Sequence, residues 1–242
     1  MTKKSNKKAS NFNFIDFIDE NRMPIIVLVI ILMFFGFVFW QSNTNKINLS
    51  GIEKNKIISN TDQSGGIEEH VYPSSNKNAK VVLIEYGDFQ CPACLTMSPK
   101  LKALSEEYGD KIAVVFRNFP LSGHANALSA AAAAEAAGLQ GKYWEMHDLL
   151  YEKQTEWGSA NATERTEFYK KYAKEVGVKD EEKFIADMKS SNISKKIAFD
   201  KALGVDAKIT GTPSFFLNGE EIKNDVWGDD EALAAKIDGL LK

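Results

Sequence analysis

The chain's 242 residues are 44% hydrophobic and 26% charged, with a formal net charge of −3, the composition of ordinary globular protein. Charge this close to balance, with no basic stripe, argues against a nucleic-acid partner. Two cysteines are too few for a disulfide-stapled secreted framework.

The first predicted element is an anchor. Met23 to Trp40 reads MPIIVLVIILMFFGFVFW, 18 residues without a charge. As a helix it would reach ~27 Å, close to the ~30 Å hydrocarbon core of a bilayer. Lys3, Lys4, Lys7, Lys8 and Arg22 precede it, and the first cation after it is Lys46. The positive-inside rule then leaves residues 1–22 as a cytoplasmic tail and puts everything beyond Trp40 outside, in a single-pass protein of the cell membrane. A cleaved signal peptide would have a shorter apolar stretch and a small-x-small site, for which Ser42-Asn43-Thr44 is a weak match. A buried core helix is the other alternative. Residues 41–66, polar and rich in Asn, Ser and Lys, read as a flexible linker with a span of about 28 Å.

The globular part is predicted over 67–242. Lys80 to Asp88 (KVVLIEYGD) is a short run of β-formers and reads as a buried strand. Pro99 to Asp110 has helical spacing and stops at Gly109, and Lys111 to Pro120 (KIAVVFRNFP) is a second strand. Strand, helix, strand suits a parallel βαβ unit. A helical tract follows from His124, broken at Gly138 and Gly141, with Ala130 to Ala134 small enough for close helix approach. Two further amphipathic helices are predicted over 162–178 and 180–204, the second capped by Asp180. Two short strands then flank Asn218-Gly219, a hairpin signal, and residues 229–242 close the chain as a helix.

Both cysteines lie in Asp88 to Met97 (DFQCPACLTM), directly after a strand and at the start of a helix. The four-residue loop they would close constrains an unfolded chain little, so the pair is a poor staple. A helix N-terminus favours an anion, which would hold Cys91 partly as thiolate. Pro92 fits the first helical position. Cys94, one turn further in, is then the protected resolving thiol. The competing reading is half of a zinc site completed by His70, His124 or His147, although these are scattered and a second close-spaced ligand pair is missing.

The segments Val81–Met97, Phe116–Gly138, Gly141–Tyr151 and Gly204–Gly219 resemble those of DsbA-like thiol:disulfide oxidoreductases of the thioredoxin superfamily, over roughly residues 74–242. The resemblance implies an α/β thioredoxin-like fold with an inserted helical domain at about 122–205, here preceded by one transmembrane helix. It also implies catalysis by Cys91 and Cys94 and places Pro213, after Thr212, at the family's cis-proline beside the cysteines. Glu85, six residues before Cys91, matches the family's buried acid, which would exchange a proton with Cys94. Ala93 departs from the strong oxidants of the family, which carry histidine there, so an oxidant weaker than the strongest is expected, or one relying more on backbone N–H groups. The implied activity is disulfide donation to cysteine-containing exported proteins by a monomer, with a membrane reoxidase of DsbB or VKOR type and no cofactor or metal. Alternatives are a membrane-anchored reductase or isomerase on the same fold, or a non-enzymatic metal-binding module.

Overall fold

The computed structural model describes residues 23–24, 26–37, 47–73 and 76–242. The chain divides into two units, Met1–Ile47 and Asn48–Lys242. In the first, residues 26–37 form a helix (α1) with exposed side chains. Among the described residues no helix is long and apolar enough to cross a membrane. The tail 1–22 and residues 25 and 38–40 of the expected anchor lie outside the described residues.

The second unit is built on a five-stranded sheet of order β1-β3-β2-β4-β5. Its centre is the expected βαβ unit: β2 (Val81–Gly87), α2 (Pro92–Tyr108), a short 3-10 turn and β3 (Ile112–Asn118). β2 and β3 pair in parallel, with Glu85 opposite Phe116. Both strands are buried on both faces, which explains their near-continuous hydrophobicity. α2 ends at Gly109, whose φ of 57° suits a residue without Cβ.

β4 (Ser214–Leu217) and β5 (Glu220–Ile222) form the hairpin. Asn218 and Gly219 have φ of 47° and 87°, the two positive values a tight primed turn needs. α9 (Asn224–Trp227) and α10 (Asp230–Leu241) follow. Met97 and Leu101 of α2 and Leu233 and Ile237 of α10 pack with Val81, Leu83, Val114 and Phe215 into one core.

Between β3 and β4 lies the helical block: α3 (Ala127–Gly138), α4 (Tyr143–Glu152), α5 (Gln154–Trp157), α6 (Ala162–Glu175), α7 (Glu181–Asp187) and α8 (Ser191–Asp206). Ala130 to Ala134 are buried inside it, among Tyr143, Met146, Leu150 and Ile197. The helix predicted over 180–204 is two helices. Asp180 caps α7 through the amide of Lys183, but Ser190 takes an extended conformation and caps α8 through the amide of Ile193. A serine that competes with the backbone for hydrogen bonds ends one helix and starts the next.

Two further features differ from expectation. β1 (His70–Tyr72), too short to show as a strand in sequence, pairs antiparallel with β3 at the sheet edge. Much of the expected linker is docked, because from Asn48 the chain lies on the domain. Arg117 Nη1 and Nη2 donate to the carbonyls of Lys54 and Lys56 at 2.6 and 2.9 Å, and the buried Ile58 amide donates to Glu69 at 2.6 Å. Main-chain groups make much of this attachment, and polar composition says nothing about them. Residues 41–46 lie outside the described residues.

Candidate active site

The loop after β2 delivers the cysteines. Cys91 has an extended conformation and occupies the N-cap of α2, with Pro92 at the first helical position. Pro92 and Ala93 are exposed, while Cys91 is 7% and Cys94 0% exposed. Both thiols are free. Cys91 Sγ lies 3.3 Å from the Thr212 carbonyl oxygen, and the Thr212–Pro213 peptide bond is cis. The Cys91–Cys94 pair and Thr212–Pro213, more than a hundred residues away in sequence, thus meet at one helix N-terminus.

The two sulfurs have opposite electrostatics. The Cys91 thiol is lowered from 9.0 to about 5, chiefly by hydrogen bonding from Cys94, against a burial penalty. Thr212 and the backbone amides of Ala93 and Cys94 also lower it. Burial pushes Cys94 far upward, helped by Cys91 and Glu85. One cysteine is therefore a thiolate at neutral pH and the other a thiol.

Glu85 lies on β2 beneath the pair, 1% exposed. Burial raises its carboxyl from 4.5 to about 8; the Cys94 thiol offsets part of this and Cys91 adds to it. At neutral pH it is a buried acid holding its proton, and among the described residues its Oε1 has no hydrogen-bond partner. A Cβ on Gly87 would strike the Phe116 ring and come within 3.1 Å of this oxygen. A side chain there would displace the ring and crowd the acid.

The helical block holds the loop from outside. Gln154 donates to the carbonyls of Phe89 and Cys91 at 2.8 and 3.1 Å. Gln90 donates to Gly158 O and accepts from the Asn126 amide, both at 2.8 Å. Asp88 accepts from the amides of Gln90 and Leu121 at 2.7 and 2.8 Å and lies 2.8 Å from His124 Nδ1. Sequence reasoning missed Gln154, because amides on a distant helix leave no spacing signal. The three histidines stay apart: His70 pairs with Glu135, His124 with Asp88 and His147 with Asp148. Among the described residues no group of three His, Cys, Asp or Glu is placed to hold a metal ion.

A dithiol of opposed acidities at the first turn of the helix in a βαβ unit defines a thiol–disulfide oxidoreductase. The thioredoxin family model matches residues 71–238, and the chain belongs to that family. Among solved structures, a thioredoxin-like oxidoreductase from Silicibacter pomeroyi is 26% identical with a TM-score of 0.55, covering 73% of this chain and 98% of that one. The thiol-disulfide exchange protein alpha-DsbA2 from Wolbachia pipientis is 25% identical with a TM-score of 0.56, covering 68% and 84%. Oxidised BdbD from Bacillus subtilis shares the fold at 22% identity and a TM-score of 0.59, covering 78% and 94%. A Na(+)/H(+) antiporter NhaA 1 from Mycolicibacterium vanbaalenii is 36% identical over 145 residues, 59% of this chain. That match spans only 22% of the antiporter's length.

Proposed function

We propose that the protein is a membrane-anchored extracytoplasmic oxidase that introduces disulfide bonds into exported proteins. The observation that carries this reading is the acidity of Cys91, lowered to about 5. A stable thiolate stabilises the reduced form and makes the disulfide a better oxidant. The 18-residue apolar segment before the domain supports the anchor, and the lysines preceding it support an outward-facing catalytic unit.

The steps follow from the two acidities. A substrate thiolate attacks Cys91 Sγ of the disulfide, the bond to Cys94 breaks, and Cys94 leaves with the electron pair. Glu85, protonated at neutral pH, gives Cys94 its proton. A second substrate thiolate then attacks the substrate sulfur of the mixed disulfide and expels Cys91, whose low pKa makes it a good leaving group. Substrate loses two electrons, and the protein holds them as the Cys91 thiolate and the Cys94 thiol. A membrane reoxidase of DsbB or VKOR type would remove them, and the cycle needs no bound cofactor. The protein would act as a monomer.

Equilibration with glutathione buffers tests the direction. A reduction potential well above ~−270 mV, toward the ~−120 mV of strong donors, supports the oxidase. A value near ~−270 mV would make the same site a reductase and overturn the reading.

A further inference from the structure

Beneath Glu85 is a cavity of about 20 Å³, lined by Tyr72, Glu85, Ser98, Lys102, His147 and Asp148, with Leu101, Val114 and Trp144 as its apolar walls. Its volume admits one water. Two buried polar atoms of its lining, Glu85 Oε1 and His147 Nε2, have no hydrogen-bond partner among the described residues. The other ring nitrogen, His147 Nδ1, is 3.0 Å from Asp148 Oδ1, and Lys102 Nζ donates to Asp148 Oδ2 at 2.7 Å. The His147 side chain is 5% exposed, whereas those of Asp148 and Lys102 are 35% and 49% exposed. A chain of polar groups thus runs from the resolving cysteine to the surface.

We infer that His147 relays protons between Glu85 and solvent, through one water in this cavity on the inner side and Asp148 on the outer. The inference rests on the reading of Glu85 as the proton partner of Cys94. It answers a question that reading raises. Glu85 is fully buried, yet it must lose its proton before it can accept the one on Cys94, and must regain it after giving one up.

The groups facing His147 keep it neutral at rest. Asp148 adjoins it on α4, Tyr143 and Tyr151 flank it on the same helix, and Lys102 on α2, His70 and Tyr72 on β1 and Glu85 on β2 lie around it. Burial lowers its pKa more than Asp148 raises it, with His70 and Lys102 lowering it further. A neutral ring that donates from Nδ1 to Asp148 leaves Nε2 as an acceptor in the cavity.

The proton balance closes over one catalytic cycle. During reoxidation Glu85 passes its proton through the water to Nε2, and Nδ1 releases its own proton by way of Asp148. Glu85 then takes the proton of Cys94, whose thiolate closes the disulfide. The ring is left with hydrogen on Nε2. During substrate oxidation Glu85 protonates the departing Cys94 and is recharged from Nε2–H through the water, while Nδ1 gains a proton from solvent. Each half-cycle resets the tautomer that the other needs, so the ring does not have to rotate.

The test uses the full chain, reduced and then oxidised by excess oxidised glutathione, with acid quench and alkylation separating mixed disulfide from closed disulfide. In His147→Phe and His147→Gln, closure of the disulfide by Cys94 is expected to slow roughly 100-fold at pH 7, the low end of what a positioned proton-transfer group contributes. Alkylation of Cys91 at pH 7 and the reduction potential should stay at wild-type values, because a relay changes a rate and not an equilibrium. Closure slowed less than about threefold at every pH would overturn the relay. So would slowing matched by a shifted potential, which marks a structural role. Glu85→Gln separates the two readings. If it slows closure and the His147 variants do not, the relay alone fails; if it leaves closure unchanged, Glu85 is not the proton partner and both fail. Should the His147 variants not fold, Asp148→Asn at the surface end carries the same test with the same two outcomes.

Discussion

Replacing Glu85 by glutamine keeps the shape of the side chain and removes its proton equilibrium. The carboxyl is raised from 4.5 to about 8 in the folded protein. Between those values the folded state keeps a proton that the unfolded state releases. The stability linked to Glu85 is therefore fully present below pH 4.5 and is lost as pH rises through 8. Integrating this linkage, the ionisable group costs the folded state about 1 kcal/mol at pH 5 and about 3 kcal/mol at pH 7. Cys91 acts in the opposite sense. Its folded value of about 5 lies below the ordinary 9.0, so the reduced protein gains stability as pH rises across that interval, and the wild-type profile is partly flattened. The difference between wild type and Glu85→Gln isolates the acid, because Cys91 is common to both. Urea unfolding in dithiothreitol should show the variant's advantage growing by about 2–3 kcal/mol from pH 5 to pH 7. Any hydrogen bond lost to the amide shifts both points equally and drops out. An advantage that changes by less than about 0.5 kcal/mol over that range would refute a strongly raised carboxyl.

Thiolate absorbance at 240 nm should titrate near pH 5 for Cys91, with Cys94 remaining a thiol throughout; a single transition near pH 9 would contradict the assignment. Cys94→Ala removes the largest influence that lowers Cys91, so the transition should move upward, and an unchanged midpoint would count against that cause. Thr212→Val removes a buried hydroxyl that has no hydrogen-bond partner among the described residues, from a residue that helps to lower Cys91. The same titration should move up in this variant and the reduction potential should fall. Arg117, fully buried, bonds Glu69 at 2.5 Å, Tyr86 OH at 2.9 Å and two carbonyls of the attached N-terminal segment. Arg117→Met should destabilise the fold by about 3–5 kcal/mol in urea, the penalty for leaving a buried partner charge unpaired; a loss under ~1 kcal/mol would mean that solvent reaches Glu69.

Sequence periodicity revealed the elements that bury a repeating pattern. β2, β3 and the β4–β5 hairpin were legible because buried strands and an Asn-Gly turn are local signals. The break between α7 and α8 was not, since Ser190 sits in an amphipathic run that continues through it. β1 escaped for its length, and the docking of residues 48–66 because much of it is main chain. Within the site, Cys91, Cys94 and Pro92 were readable from local order alone, as a strand, a turn and a helix start. Glu85, Thr212 and Pro213 came from resemblance, and no spacing rule would have joined Thr212 to Cys91 across 121 positions. Gln154 and His147 belong to helices whose sequence explains their own packing. Their relevance appears only once the helical block has folded over the loop.

The acidity of Cys91 also bounds how much of an oxidant this chain is. A thiol of about 5 lies between the ~7 of thioredoxin and the ~3.5 of the strongest oxidants. At pH 7, relative to a thiol of ~7, it stabilises the reduced form by about 2 kcal/mol, or about 50 mV for two electrons. That is a third of the ~150 mV separating thioredoxin from the strongest donors, and it would bring a thioredoxin-like pair to about −220 mV. Ala93 offers neither charge nor a side-chain donor to raise it further, so the lowering rests on Cys94, Thr212 and two backbone amides. A measured potential close to the ~−120 mV of the strongest donors would therefore point to the oxidised side, as a disulfide less stable than thioredoxin's, in addition to thiolate stabilisation.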